Sequence, residues 1–149
     1  LLDELWEAVG ELPNFTVLVT AGHGQIDLAP DRVDYLDELW PELPALLSHS
    51  RPAGSSRDAF LHVREGHVET VIDELSARVG ERADVRPAGE LFDQMGPRLR
   101  ARLGDVVVLP SAGRQAWLRR AAAGEQRFRG QHGGLDEAET STYLAQLTT

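Results

Sequence analysis

Hydrophobic positions along the chain follow two periods, and the switches between them mark the elements. Leu1, Leu2, Leu5, Trp6, Val9 and Leu12 fall at helical spacing, with Asp3, Glu4, Glu7 and Glu11 largely between them. This predicts a helix packed by one face and stopped by Pro13 and Asn14. Phe15 to Thr20 follow as a mostly apolar, β-branched run, the pattern of a strand buried on both faces in a parallel sheet. Helix, turn, buried strand and glycine-flanked loop make half of a doubly wound unit.

Leu28-Ala29-Pro30-Asp31 reads as a turn, and Pro41 and Pro44 preclude one continuous helix over 32–50. Short pieces are predicted instead: a strand at Val33 to Leu36 and a helical turn at Glu42 to Leu47. Arg51 to Ser56 has loop composition. Asp58 to Arg64 alternates as a strand, and Val68, Val71, Ile72, Leu75 and Val79 predict an amphipathic helix closed by Gly80. A short strand at Arg82 to Arg86, a short helix at Pro87 to Met95 and a strong strand at Asp105 to Pro110 complete a β-α-β-α-β run. Residues 58–109 are thus expected to form a small α+β subdomain within a single segment, 1–149. Gly113 to Phe128 suits either a helix or a strand with a long loop. Asp136-Glu137-Ala138-Glu139-Thr140 places three carboxylates at a helix start, where they favour the positive end of the macrodipole. Tyr143, Leu144 and Leu147 are expected to complete that helix's apolar contacts. The fold class is α/β.

The 149 residues fit one domain, with 42% hydrophobic and 26% charged residues. No apolar run approaches the roughly 18 residues of a membrane span. A net charge of −9 argues against a nucleic-acid-binding surface, which needs a basic face. Eight of the fifteen basic residues, all Arg, nevertheless lie between Arg98 and Arg129, as a solvated face or an anion-attracting rim. Without cysteine, any transition-metal site must use His, Asp or Glu. Without lysine, a P-loop is excluded. Ser55-Ser56 has no Gly-x-Ser-x-Gly elbow around it, which removes a serine-hydrolase reading.

The candidate chemistry lies in two loops. His23 stands between Gly22 and Gly24 at the carboxyl end of the first predicted strand, where α/β proteins place functional side chains. His132 repeats the device in Arg129-Gly130-Gln131-His132-Gly133-Gly134, which points to one site assembled from both ends of the chain. The other histidines read as ordinary: His62 on its strand, His67 before a helix, His49 between serines. Trp6 and Trp40 read as packing residues, as do Trp117 and Phe128, for which base stacking is the alternative. Asp27 reads as a loop cap, with a supporting role behind a metal ligand as the alternative.

Thr20-Ala21-Gly22-His23-Gly24 resembles, at four of five positions, the Thr-Ala-Asp-His-Gly motif of the type I phosphodiesterase/nucleotide pyrophosphatase family of the alkaline phosphatase superfamily. Gly130-Gln131-His132-Gly133-Gly134-Leu135 resembles that family's later Gly-x-His-Gly-Gly motif. The resemblance spans nearly the whole chain. It implies an alkaline-phosphatase-like fold with part of a parallel sheet, and two Zn²⁺ ions held by Asp and His beside a Thr or Ser nucleophile. Paired cations stabilise the attacking and leaving oxygens of an in-line displacement at phosphorus. His23 would then be a ligand of the metal near the nucleophile and His132 a ligand of the other. The implied substrates are phosphodiesters or nucleotide pyrophosphates.

The sequence departs from the family pattern in two places. Gly22 stands where the motif has a metal-ligating Asp, which points to a degenerate site, an altered metal requirement or an engineered substitution. The nucleophile and remaining ligands have no counterpart in Leu1 to Asn14, so the chain is expected to be the C-terminal portion of such an enzyme, inactive alone and completed by its N-terminal part. A sheet lacking that cover would expose an apolar patch and associate with itself or a partner. The rival reading is a metal-free binding or assembly module.

Overall fold

The computed structural model describes residues 2–10, 13–122 and 128–148. Its centre is a four-stranded antiparallel sheet in the order β4 (Ala53–Ser55), β5 (Asp58–Leu61), β7 (Val106–Pro110), β6 (Ala83–Pro87). Helix α4 (Val68–Val79) lays Val71, Leu75 and Val79 on one face of it, against Ala59, Leu61, Ala83, Val85, Val106 and Val108. The short helices α2 (Leu36–Leu39) and α3 (Leu43–Leu46) extend that core through Leu36, Trp40 and Leu43. The opposite face carries Phe60, Val107 and Leu109 under Ala88, Leu91 and Leu103. Both faces are therefore covered, which is why every residue of β7 is buried although its neighbours run antiparallel.

Three two-stranded ladders surround this body. β3 (Val33–Tyr35) pairs in parallel with β8 (Gln115–Trp117), β2 (Ile26–Asp27) antiparallel with β9 (Gly130–Gln131), and β1 (Thr16–Thr20) antiparallel with β10 (Leu144–Thr148). Asp34 anchors the parallel pair to the body by accepting from Arg82 and, at 2.9 Å, from Arg114. Arg82 also donates to the carbonyls of Arg78 and Val79 and so caps the last turn of α4.

Several expectations are corrected. Phe15 to Thr20 is not a doubly buried parallel strand: β1 alternates exposed and half-buried residues, and Thr16 to Thr20 faces Thr148 to Leu144 antiparallel. The last helix, α6, covers only Glu137–Thr140, and Leu144 and Leu147 lie on β10. A four-residue helix is costly to nucleate, whereas the same chain gains a five-residue ladder by pairing with β1. The loop predicted at 51–56 contains β4, closed onto β5 by the turn residues Ser56 and Arg57. The predicted strand Val33 to Leu36 ends at Tyr35, and Leu36 opens α2. Pro87 to Met95 holds only a 3₁₀ turn at Ala88–Leu91, and helix α5 (Pro97–Leu103) was not anticipated. The first helix, α1, covers Leu2–Val9; the predicted contributions of Leu1 and Leu12 lie outside the described residues. In the ambiguous stretch, β8 is followed by a 3₁₀ turn at Arg119–Ala121, and 123–127 lie outside the described residues.

Trp40 and Trp117 are buried as expected, whereas Trp6 and Phe128 are exposed. Among the described residues no helix is long and apolar enough to cross a membrane.

Candidate functional site

His23 leaves β1 after Ala21 and Gly22, and His132 follows β9 directly. The β2–β9 ladder binds the two loops side by side, with Ile26 opposite Gln131 and Asp27 opposite Gly130. Leu28 N–H donates to the Arg129 carbonyl at 2.8 Å, and Arg129 makes a two-pronged contact with Asp27 at 2.9 and 2.5 Å. Asp27 is thus an ion-pair partner and not a loop cap; that hydrogen bond and charge hold its carboxyl below the usual aspartate range. The result is direct contact of the two histidines. Their rings stack with centroids 3.7 Å apart and planes 18° from parallel, both exposed.

One nitrogen of the pair is assigned by its neighbour. His23 Nδ1 lies 2.7 Å from the Gly24 carbonyl oxygen, which can only accept, so Nδ1 carries the hydrogen and Nε2 of the neutral ring keeps a free lone pair. That is the arrangement of a histidine able to ligate through Nε2.

The glycines of both loops have concrete roles. A Cβ on Gly24 would fall on the carbonyl oxygens of Ala138 and Ser141, and Gly24 N–H donates to the Glu139 carbonyl at 2.9 Å. Gly133 has φ 114° and presses on Ser55 and Asp58, where a side chain would collide. Gly22 is different: a Cβ there meets nothing within 4 Å, and its φ lies outside the left-handed range. Neither packing nor backbone conformation requires glycine at the position where the family motif carries its Asp.

Beneath the histidines lies a charge cluster that sequence reasoning missed. Arg57, at the tip of the β4–β5 hairpin, is 1% exposed. Its Nε and Nη2 donate to Glu139 at 3.1 and 2.7 Å, Nη2 to Asp136 at 2.7 Å, and Nη1 to the carbonyls of Pro110, Ser111 and Arg114. Glu139, 2% exposed, also accepts from Gly134 N–H at 3.0 Å. Burial acts to raise its pKa, yet Arg57, Gly134 and Asp136 outweigh that and hold the carboxyl below its ordinary value. Two of the three carboxylates expected to serve the helix dipole therefore serve a buried guanidinium. The available signal was the i, i+3 spacing of Asp136 and Glu139, which puts them on one side of the turn.

Asp58 sits beside this cluster and accepts from Ser55 N–H at 2.7 Å and Ser55 Oγ at 2.5 Å. Burial raises its pKa, against the opposing effect of Ser55 and of positive charge on His132. The remaining histidines stay outside the site. His49 and His62 touch each other, with centroids 4.1 Å apart, and His67 precedes α4 without a capping side-chain hydrogen bond. Of the basic third, Arg114, Arg119 and Arg129 are paired with Asp34, Glu38 and Asp27.

The donor set fits a transition-metal centre in kind and falls short in number. Two imidazoles converge, but among the described residues no three His, Asp or Glu side chains form a metal-binding group.

The family description "Type I phosphodiesterase / nucleotide pyrophosphatase" matches residues 1–135, through both histidine loops. The chain belongs to that family. Solved structures give the same fold. Human ectonucleotide pyrophosphatase/phosphodiesterase 5 superposes with a TM-score of 0.67 at 13% identity, covering 97% of this chain and 37% of that one. The murine protein gives 0.64 at 19% identity, over 96% of this chain and 36% of that one. An inactive form of the murine protein in complex with AMP gives 0.60 at 18% identity, with the same coverage. The chain thus spans little more than a third of these relatives, on their C-terminal part, and has the α/β, alkaline-phosphatase-like fold. No match was found among the curated proteins.

Proposed function

We propose that this family member supplies His23 and His132 to a metal-dependent site hydrolysing phosphodiester or nucleotide pyrophosphate bonds, completed by the N-terminal part of the same enzyme. The observation that carries the reading is the ring contact between the two motif histidines. Their convergence is what a shared centre requires of loops lying at opposite ends of the chain. His23 and His132 are the metal ligands contributed here, and the ions, two Zn²⁺ in the complete site, would neutralise charge on the reacting phosphoryl oxygens. The AMP bound by the murine relative supports a nucleotide among the substrates. The 149-residue chain by itself is inactive on this reading, since two imidazoles do not complete a centre.

An apolar surface supports the proposed completion. Leu5 and Trp6 of α1 face Val17, Val19 and Leu147 across a groove of about 230 Å³, and Leu18 and Leu144 are 61% and 70% exposed on the other side of the ribbon. A two-stranded ribbon exposed in this way needs further packing to be stable. The rest of the enzyme is the occupant proposed for it, and self-association follows when that cover is missing.

The second reading, a catalytically degenerate binding or assembly module without metal, is favoured by Gly22 and by the lack of a third converging donor among the described residues. Calorimetric Zn²⁺ titration of the chain beside a His23→Ala, His132→Ala double variant separates the two. Binding by the parent that disappears in the double variant is expected. No binding, or equal binding by both, would transfer the case to the module.

A further inference from the structure

The two histidine loops share one residue beneath them. Glu139 holds the His132 loop through its side chain, which accepts from Gly134 N–H, and the His23 loop through its main-chain carbonyl, which accepts from Gly24 N–H. Arg57 fixes that residue in turn, and fixes it to the rigid body. Its three carbonyl acceptors, at Pro110, Ser111 and Arg114, lie at the end of β7 and the approach to β8. We propose that Glu139, clamped by Arg57, is the positioning residue of the site: it sets the spacing of His23 and His132 and thereby the affinity for a divalent metal.

The chemistry favours such a clamp over a single hydrogen bond. A carboxylate bound through two guanidinium nitrogens is fixed in orientation as well as position. Its remaining capacity goes to one backbone N–H, and the helix carrying it is only four residues long, so little else fixes its rotation. Close packing completes the contact on the other side, since Gly24 approaches the Ala138 and Ser141 carbonyls too nearly for any side chain. The exposed histidines, by contrast, have few restraints of their own. Among the described residues, only Nδ1 of His23, bonded within its own loop, is hydrogen-bonded among the ring nitrogens of the pair. Their alignment is inherited from Glu139. This inference deepens the proposed function where it concerns metal affinity, and its ring-contact half stands apart from it.

The test uses the full 149-residue chain and two variants that strike the clamp from opposite sides. Glu139→Gln removes the charge Arg57 holds. Gly24→Ala forces the His23 loop and α6 apart and changes none of the side chains of the buried cluster. Proton NMR reads the cross-relaxation between the His23 and His132 rings, amide shifts of β5 and β7 report the body, and Zn²⁺ titration reads affinity. With body shifts unchanged, both variants are expected to lose the ring-to-ring signal and to bind Zn²⁺ about tenfold more weakly or worse, the effect of losing a group that orients a ligand. A purely structural role would lower the melting temperature and leave the ring signal intact in the folded protein; that result overturns the proposal. Should Glu139→Gln fail to fold, Glu139→Asp, which keeps the charge and shortens the reach to Arg57 and Gly134 N–H, is read in its place against the same ring signal. Should the parent bind no Zn²⁺, the metal reading fails while the ring signal still judges the clamp.

Discussion

Restoring the carboxylate at Gly22 is the perturbation that most directly separates a depleted metal site from an abandoned one. The position is exposed, open around its Cβ and free of left-handed backbone. Gly22→Asp is therefore expected to change stability by no more than about 0.5 kcal/mol, as for other exposed substitutions. Its effect on metal binding should be far larger. Two unit charges about 4 Å apart interact by roughly 1 kcal/mol even in bulk water, and a dication doubles that. About 2 kcal/mol exceeds the 1.4 kcal/mol that corresponds to a tenfold change in affinity. Calorimetry should show Gly22→Asp binding Zn²⁺ at least tenfold more tightly than the parent, with the gain abolished by adding His23→Ala. A folded Gly22→Asp protein whose affinity equals the parent's would refute the argument, because the geometry leaves no steric excuse for the carboxylate to be idle.

Two further outcomes test the energetics beneath the site. Burial raises the Asp58 pKa above its ordinary 3.8, so the folded state favours the protonated carboxyl. Its contribution to stability is greatest below pH 3.8 and is lost as pH rises through the folded value. Asp58→Asn keeps a neutral acceptor for Ser55, so at pH 7 it should be at least as stable as the parent, with the difference narrowing at pH 3; urea midpoints at both values check this, and a loss beyond about 1 kcal/mol at pH 7 would contradict it. Leu75, fully buried against the central sheet, should cost about 2–5 kcal/mol on truncation to Ala, whereas Leu144, 70% exposed, should cost less than about 0.5 kcal/mol at dilutions where the chain is monomeric. Comparable losses at both positions in urea unfolding would mean that the β1–β10 ribbon is packed in solution.

The sequence made the body of the molecule legible because its signals there were local. The apolar spacing from Val68 to Val79 and the run at Asp105 to Pro110 reappear as α4 and β7, since periodicity and tertiary burial agree in both. Phe15 to Thr20 was recognisable as a strand but not in its pairing. A continuous apolar run reads the same whether its partners are parallel neighbours or a C-terminal strand more than a hundred residues away. β10 itself was hidden because Tyr143, Leu144 and Leu147 also suit a helix face. The site was half legible. Glycines around His23 and His132 announced both loops, but nothing local reveals that an arginine in a serine-rich turn is buried under one of them. Arg57 becomes meaningful only once Asp136 and Glu139 are folded over it.

The position of that cluster explains how an exposed pair of histidines can be ordered at all. A buried ion pair is weak evidence for stability, since desolvation offsets much of the attraction. Removing one partner is another matter, because it strands the remaining charge. A cluster of this kind therefore does little to decide whether the chain folds and much to decide how its loops sit once folded. Here the loops come from unequal supports. The His132 loop lies on Ser55 and the hairpin of the central sheet, while His23 extends from a marginal ribbon whose apolar faces lack cover. Opening of that ribbon would carry His23 away from His132, and the ties that resist it include the β2–β9 ladder, the Asp27–Arg129 pair and the Gly24–Glu139 hydrogen bond. The first is two residues long and the second is exposed to solvent, where screening leaves an ion pair worth little. The third rests on a residue held from below by a guanidinium that is itself fixed to the sheet, so it couples His23 to the rigid part of the molecule, as the Ser56–Gln131 hydrogen bond couples the β2–β9 ladder.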